Sequence, residues 1–290
     1  MDFDYIPDGK ILFNQSVILF SFIFIILYLY FRSFFLALVI SIIKSSLFFI
    51  YYYFFSSNLE LSIRPDDIYY LQHGIAFENN FKIQDLNYWK LQASMESFHF
   101  FYILPISILI NLFGEFYTSL AIGNIILTCF IAILATSIIK EQKYTWYKNF
   151  AIFFLLYPDL IAFSTSTAGK DTWVLLMHVL FIKSYSLLIN KSFKKSILVF
   201  LITFVIALHL RFYIPVIFSF IFIIAYGFSI RILIFTSFLF IALILLTDYI
   251  ASIKSLFNSG INYIGNTGES IIMIPYGIIH FLLTPLPFNV

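Results

Sequence analysis

Ten apolar runs punctuate the chain, at about 11–31, 33–55, 98–113, 117–139, 144–163, 172–189, 196–213, 213–230, 232–250 and 271–284. A helix rises ~1.5 Å per residue, so ~20 residues cross a ~30 Å hydrocarbon core. Most of the runs meet that length. The sixteen residues of 98–113 give only ~24 Å, and Pro105 interrupts them. One long polar stretch, 56–97, separates the second run from the third. Its carboxylates are Glu60, Asp66, Asp67, Glu78, Asp85 and Glu96, against Arg64, Lys82 and Lys90, six against three for a net −3. There is no internal repeat and no soluble domain between the runs. The pattern predicts an all-α, polytopic helical membrane protein, a single integral domain over 1–290, with 56–97 as an extracytoplasmic loop bearing short amphipathic helices.

Orientation follows from Lys and Arg in short loops. The basic turns hold Arg32, then Lys140, Lys143 and Lys148, then Lys191, Lys194 and Lys195, then Arg231. If every run spans, the two lysine clusters fall opposite Arg32. If 98–113 does not span, all four turns share one side. The acidic N-terminus, the 56–97 loop, "STSTAGKD" and the 251–270 loop then share the other. The charge pattern therefore predicts nine spans, with 98–113 re-entrant or interfacial and the N-terminus outside.

Composition agrees with a membrane address. Of the residues 61% are hydrophobic and 11% charged, against about 25% charged in soluble domains. Mean hydropathy is +0.96. The expected location is the inner or plasma membrane, multi-pass. The 39 Phe and 20 Tyr read as compositional bias rather than a binding stripe. A single Cys129 excludes an intramolecular disulfide or a cysteine metal cluster. The cations are scattered among loops, which gives no footprint for nucleic acid. The acidic "MDFDYIPDGK" makes a poor signal-peptide n-region, so the first run is expected to be a retained helix.

Candidate chemistry begins with "FSTSTAGKDTW", 163–173. A phosphate-binding Walker loop needs Gly five residues before the Gly-Lys pair and Ser or Thr after it. Ser164 and Asp171 occupy those places, and the preceding "WYKNFAIFFLLYP" reads as a membrane helix ended by Pro158 rather than a strand. What remains is a helix start, capped by Thr167 or Gly169, with Lys170 and Asp171 in or beside the first turn. Free backbone N–H groups there favour an anion. Two readings stand: a solvated cap with Asp171 complementing the dipole, or a phosphate or sugar-hydroxyl site.

The second constellation is "RPDDIYYLQHG", 64–74. Pro65 suits a helix start, with Asp66 and Asp67 in its first turn. Asp67, Tyr70 and Gly74 then stack one turn apart, and His73 lies on the adjacent stripe. One reading is the acidic first turn of an amphipathic surface helix. The other is a carboxylate near the bilayer surface that takes a proton from a hydroxyl.

An acidic residue followed by Tyr in the first large outer loop resembles the GT-C superfamily of membrane glycosyltransferases. "FHFFYILPISILINLFGEFYTSLAIGNIIL", 98–127, resembles that family's short aromatic run, Phe-Gly turn and long helix. "LYPDLIAFSTSTAGKDTWVLLMHVL" is similar to its proline-ended helix, polar loop and Asp-started helix. "LHLRFYIP" and "LLTPLPF" resemble motifs of surface-polysaccharide assembly members. The likeness covers roughly residues 60–290 and is diffuse. It implies transfer of a sugar from a polyprenyl-phosphate donor to a lipid-linked or surface glycan acceptor on the outer face. It further implies Asp67 or Asp66 as the catalytic carboxylate and Asp171 as the second acidic position. Lys170 or Arg211 would bind the carrier phosphate, with Tyr70 and His73 in the substrate set. The chain departs from the family in lacking a clear second carboxylate motif. It stops at Val290 soon after a Pro-x-Pro, as a truncated or minimal member would.

Arg211 also reads as a cation snorkelling to headgroups. Lys44 sits mid-run and must face the bundle or a water-filled cavity. His178, His209 and His280 read as packed histidines. His73 and His99 with Asp66 or Asp67 leave a divalent metal open, without HxH or HxxxH spacing. Asp248 and Glu269 bracket a glycine-rich connector. Two other functions stay open: an oligosaccharide repeat-unit polymerase of the O-antigen type, and a transporter of lipid-linked oligosaccharide. The first usually carries its large loop late in the chain, and the second favours repeated halves.

Overall fold

The computed structural model describes residues 6–59, 65–83, 100–166, 169–210, 214, 215, 217–219 and 221. Arg211, His99, Arg231, Asp248, Glu269, His280 and the runs 232–250 and 271–284 lie outside them. So do the side chains of Asp66 and His209.

All regular structure among the described residues is helical: α1 (Gly9–Phe31), α2 (Phe34–Leu59), α3 (Pro65–Ile83), α4 (Phe100–Phe113), α5 (Tyr117–Glu141), α6 (Tyr147–Leu156), α7 (Pro158–Ser166), α8 (Asp171–Ile189) and α9 (Phe193–Leu210). Four stretches are long and apolar enough to cross a membrane: α1, α2 over Phe34–Phe54, α5 and α8. The pair α6 and α7, bent by 51°, makes a fifth if it counts as one span. The described residues thus match four or five of the nine expected spans.

The helix expected to end at Pro158 does so, α6 stopping at Leu156, but the apolar run 144–163 continues past it as a second helix, α7. Tyr157 is extended, at φ −64° and ψ 119°, because a residue before proline is pushed out of the helical region. Proline, with no N–H to lose, then opens α7 directly after α6 has ended. Pro65 opens α3 in the same way, as its sequence predicts.

Helix α5 is the hub, packing on α1, α3, α4, α6, α7 and α8. Its buried face carries Ala121, Gly123, Thr128, Cys129, Ala132 and Thr136. Small residues let helix backbones approach where lipid supplies no hydrophobic drive. At Gly123 a Cβ would meet Leu109 Cδ1 at 2.3 Å, so α4 lies hard against the hub.

Polar contacts at three levels fix depth along the bundle. Near one end, Gln15 Nε2 donates to the Phe113 carbonyl (2.8 Å) and its Oε1 accepts from Thr118 (2.8 Å). In the middle, Lys44 Nζ donates to Thr128 Oγ1 at 3.1 Å and is 1% exposed, facing the bundle as expected. At the other end Tyr30 bonds Thr136, and Lys183 pairs with Glu141, whose Oε2 accepts from Ser186 (2.9 Å).

These contacts place α1, α5 and α8 parallel. Arg32, Lys140, Lys143, Lys148, Lys191, Lys194 and Lys195 therefore gather, exposed, at one end of the bundle. Both ends of α4 sit at the opposite end. Tyr102 is beside Trp173 at the start of α8, with ring centroids 6.0 Å apart, and Phe113 is beside Gln15 at the start of α1. With both of its ends there, α4 does not run the length of the bundle.

Candidate functional site

The end opposite the cations holds a buried, tyrosine-rich cluster. Asp67 is the third residue of α3, where a carboxylate complements the helix dipole, and it is 2% exposed. Between α4 and α5 the chain turns at Gly114, whose φ of +96° suits glycine. That turn sets Tyr117 at the first position of α5. Its hydroxyl donates to Asp67 Oδ2 at 3.1 Å and lies 3.3 Å from the Ser166 carbonyl. Tyr52, at the far end of α2, donates to the Thr165 carbonyl at 2.8 Å. Tyr52 thus holds the end of α7 to α2, and Tyr117 links it to the carboxylate.

The loop before α8 closes over the same group. A Cβ on Gly169 would lie 3.3 Å from Asp67 Oδ1, so the backbone approaches this closely because no side chain intervenes. Asn124 Nδ2 holds the Gly169 carbonyl at 3.1 Å. Lys170 lies with its ammonium 5.4 Å from the Tyr70 ring centroid, a cation–π distance. The expected cap at Thr167 or Gly169 is corrected: Lys170 occupies the cap position in a helical conformation, and its side chain makes no capping bond. Asp171 is the first residue of α8. Next to it, Thr172 Oγ1 is buried and has no hydrogen-bond partner among the described residues.

Tyr102 feels both carboxylates, Asp67 more than Asp171. Burial, then Asp67, Tyr70, Tyr117 and Asp171, push its phenol well above the usual tyrosine range. It therefore stays protonated, a hydroxyl donor beside two carboxylates. Its ring meets Tyr70 edge-on, with centroids 4.8 Å apart. Of the residues singled out from sequence, the fold brings Asp67, Tyr70, Lys170 and Asp171 together. His73 packs on the Tyr69 ring (4.1 Å between centroids), and burial holds its imidazole below the usual range. Among the described residues no three of His, Cys, Asp and Glu gather in a way that would hold a metal.

Sequence reading missed Tyr52, Tyr102, Tyr117 and Asn124. The tyrosines were hidden among so many others. Asn124 carried a usable signal, as an amide on an otherwise apolar span.

Alongside the cluster an apolar groove of about 590 Å³ runs between α2 and the α6–α7 bend, lined by Leu47, Ile50, Tyr51, Leu156, Ile161 and Thr165 among others. Thr165 and Ser166 end it, and their carbonyls are the ones tied to Tyr52 and Tyr117. Compared with known proteins, the chain matches no family model, no curated protein and no solved structure.

Proposed function

We propose that this protein is a membrane glycosyltransferase that uses a polyprenyl-phosphate-linked sugar and works at the outer face. The observation that carries the reading is the convergence on Asp67 of two segments distant in sequence, Tyr117 at the start of α5 and the Gly169 backbone of the loop that continues into Lys170 and Asp171. The cluster sits at the end of the bundle away from the seven cations. By the positive-inside rule that end faces outward.

In this reading Asp67 takes the proton from an acceptor hydroxyl as its oxygen bonds to the sugar's anomeric carbon. The bond from that carbon to the phosphate oxygen breaks, and the polyprenyl phosphate leaves as the anion. Lys170 and the start of α8 stabilise the leaving phosphate electrostatically. Thr172 Oγ1 supports an oxygen-rich ligand there, because a buried hydroxyl ordinarily has a partner. The groove between α2 and the bend suits the isoprenoid chain, and the neutral Tyr102 donates to a sugar oxygen.

Protein reconstituted in vesicles with a polyprenyl-phosphate sugar tests this. Release of polyprenyl phosphate that depends on an added glycolipid acceptor, and disappears in Asp67→Asn, supports the reading. Chains of repeats from lipid-linked oligosaccharide would assign a polymerase. Movement of intact donor across the bilayer without release would assign a transporter.

A further inference from the structure

The opposite end of the bundle has a peculiarity of its own. Four described positions adopt a left-handed backbone, each just past a helix. At the candidate-site end the position is Gly114. At the basic end the three are Arg32 (φ 56°), Lys143 (φ 63°) and Lys191 (φ 60°). Lys143 and Lys191 each close a helix with the paired bonds of a Schellman motif. Lys143 N–H reaches the Lys140 carbonyl (2.9 Å) and Tyr144 N–H that of Ile139 (3.4 Å); Lys191 N–H reaches Leu188 (2.9 Å) and Ser192 N–H reaches Leu187 (2.9 Å). Arg32 closes α1 with one bond to the Tyr28 carbonyl (2.9 Å). Glycine is the ordinary residue at such positions, since a Cβ is strained there. Three cations in that conformation, all exposed and all at one end, trade backbone ease for charge.

The rest of the face fits the same purpose. Lys140, Lys148, Lys194 and Lys195 stand beside them, also exposed. The one described carboxylate at this end, Glu141, is occupied by Lys183 and Ser186. Those bonds join the last turns of α5 and α8, so the Lys143 and Lys191 turns are neighbours. Tyr144 and Trp146, exposed and 5.7 Å apart between centroids, are residues suited to the headgroup layer. A cation past a helix C-terminus also meets the negative end of the dipole, which favours holding it there.

We infer that this end is a binding face for the headgroups of anionic phospholipids, with Arg32, Lys143 and Lys191 as its fixed contacts. It does not depend on the glycosyltransferase reading. Each cation near a charged bilayer surface strengthens association by about fivefold.

The test is thermal unfolding of the full chain in a zwitterionic detergent, with phosphatidylglycerol or phosphatidylcholine added as mixed micelles. The wild type should melt higher with phosphatidylglycerol and be unmoved by phosphatidylcholine. Arg32→Gly/Lys143→Gly/Lys191→Gly should melt no lower than wild type without lipid, because strain is relieved. It should need at least tenfold more phosphatidylglycerol for half the shift. If glycine loosens the fold, the corresponding triple asparagine variant carries the test, as asparagine also tolerates this conformation. A wild type indifferent to phosphatidylglycerol overturns the inference and leaves the face to an acidic protein partner. A triple variant that responds like wild type overturns it too, as does an equal rise with inorganic phosphate.

Discussion

The Tyr117 hydroxyl has one proton and two acceptors within reach, Asp67 Oδ2 at 3.1 Å and the Ser166 carbonyl at 3.3 Å. It links the carboxylate of α3 to the end of α7, and so to the apolar groove. Tyr117→Phe keeps the ring against Tyr52, at 6.4 Å between centroids, and deletes that link. A hydrogen bond to a charged group contributes ~1.5–3 kcal/mol. Turnover in the vesicle assay should therefore fall ~10–100-fold, with the melting temperature little changed. Unchanged turnover would remove Tyr117 from the site.

Gly169 makes a sharper positional test. Its missing Cβ leaves room for Asp67 Oδ1, and an alanine there would sit 3.3 Å away. Gly169→Val should displace the carboxylate and lower turnover ~10-fold or more, since small misplacements at a reacting centre are costly. Equal losses of stability and turnover would indicate simple unfolding instead.

Lys44 and Thr128 separate a buried charge from its partner. Replacing a buried cation by an apolar side chain of similar shape is often neutral or stabilising, whereas removing its partner is not. Lys44→Met should unfold at the same or a higher denaturant concentration. Thr128→Val should cost ~1–3 kcal/mol. A strongly destabilised Lys44→Met would show that the ammonium itself holds α2 to α5.

His73 predicts a pH dependence. Burial lowers its folded pKa below the unfolded value of 6.5, so below that pH the unfolded chain binds the proton more readily. Its contribution to stability is complete above about pH 6.5 and is lost as pH falls toward the lowered folded pKa. Melts between pH 8 and pH 5 should show this decline in wild type and a flatter profile in His73→Gln. Identical profiles would contradict it.

Much of the bundle was legible because apolar length and loop charge are one-dimensional signals. The starts of α3 at Pro65 and of α5 at Tyr117 could be read directly, and the placing of 98–113 at one end followed from Arg32 and the lysines. The break at Pro158 was harder: proline both ends and begins helices, and only packing shows that α7 resumes. At the site, Asp67 and Lys170 announced themselves as charges in polar loops. Tyr52 and Tyr102 did not, because a buried phenol hydroxyl matters through the neighbours that folding supplies. Their partners lie over a hundred and some thirty residues away along the chain, at Thr165 and Tyr70 respectively.

The central claim is tested most directly by the surface glycolipid profile of cells carrying wild type, a deletion, or Asp67→Asn at equal expression. The account predicts that both mutants lose a sugar from the glycolipid while carrier-linked donor accumulates on the outer face. An unchanged profile in the deletion, or full restoration by Asp67→Asn, would contradict it.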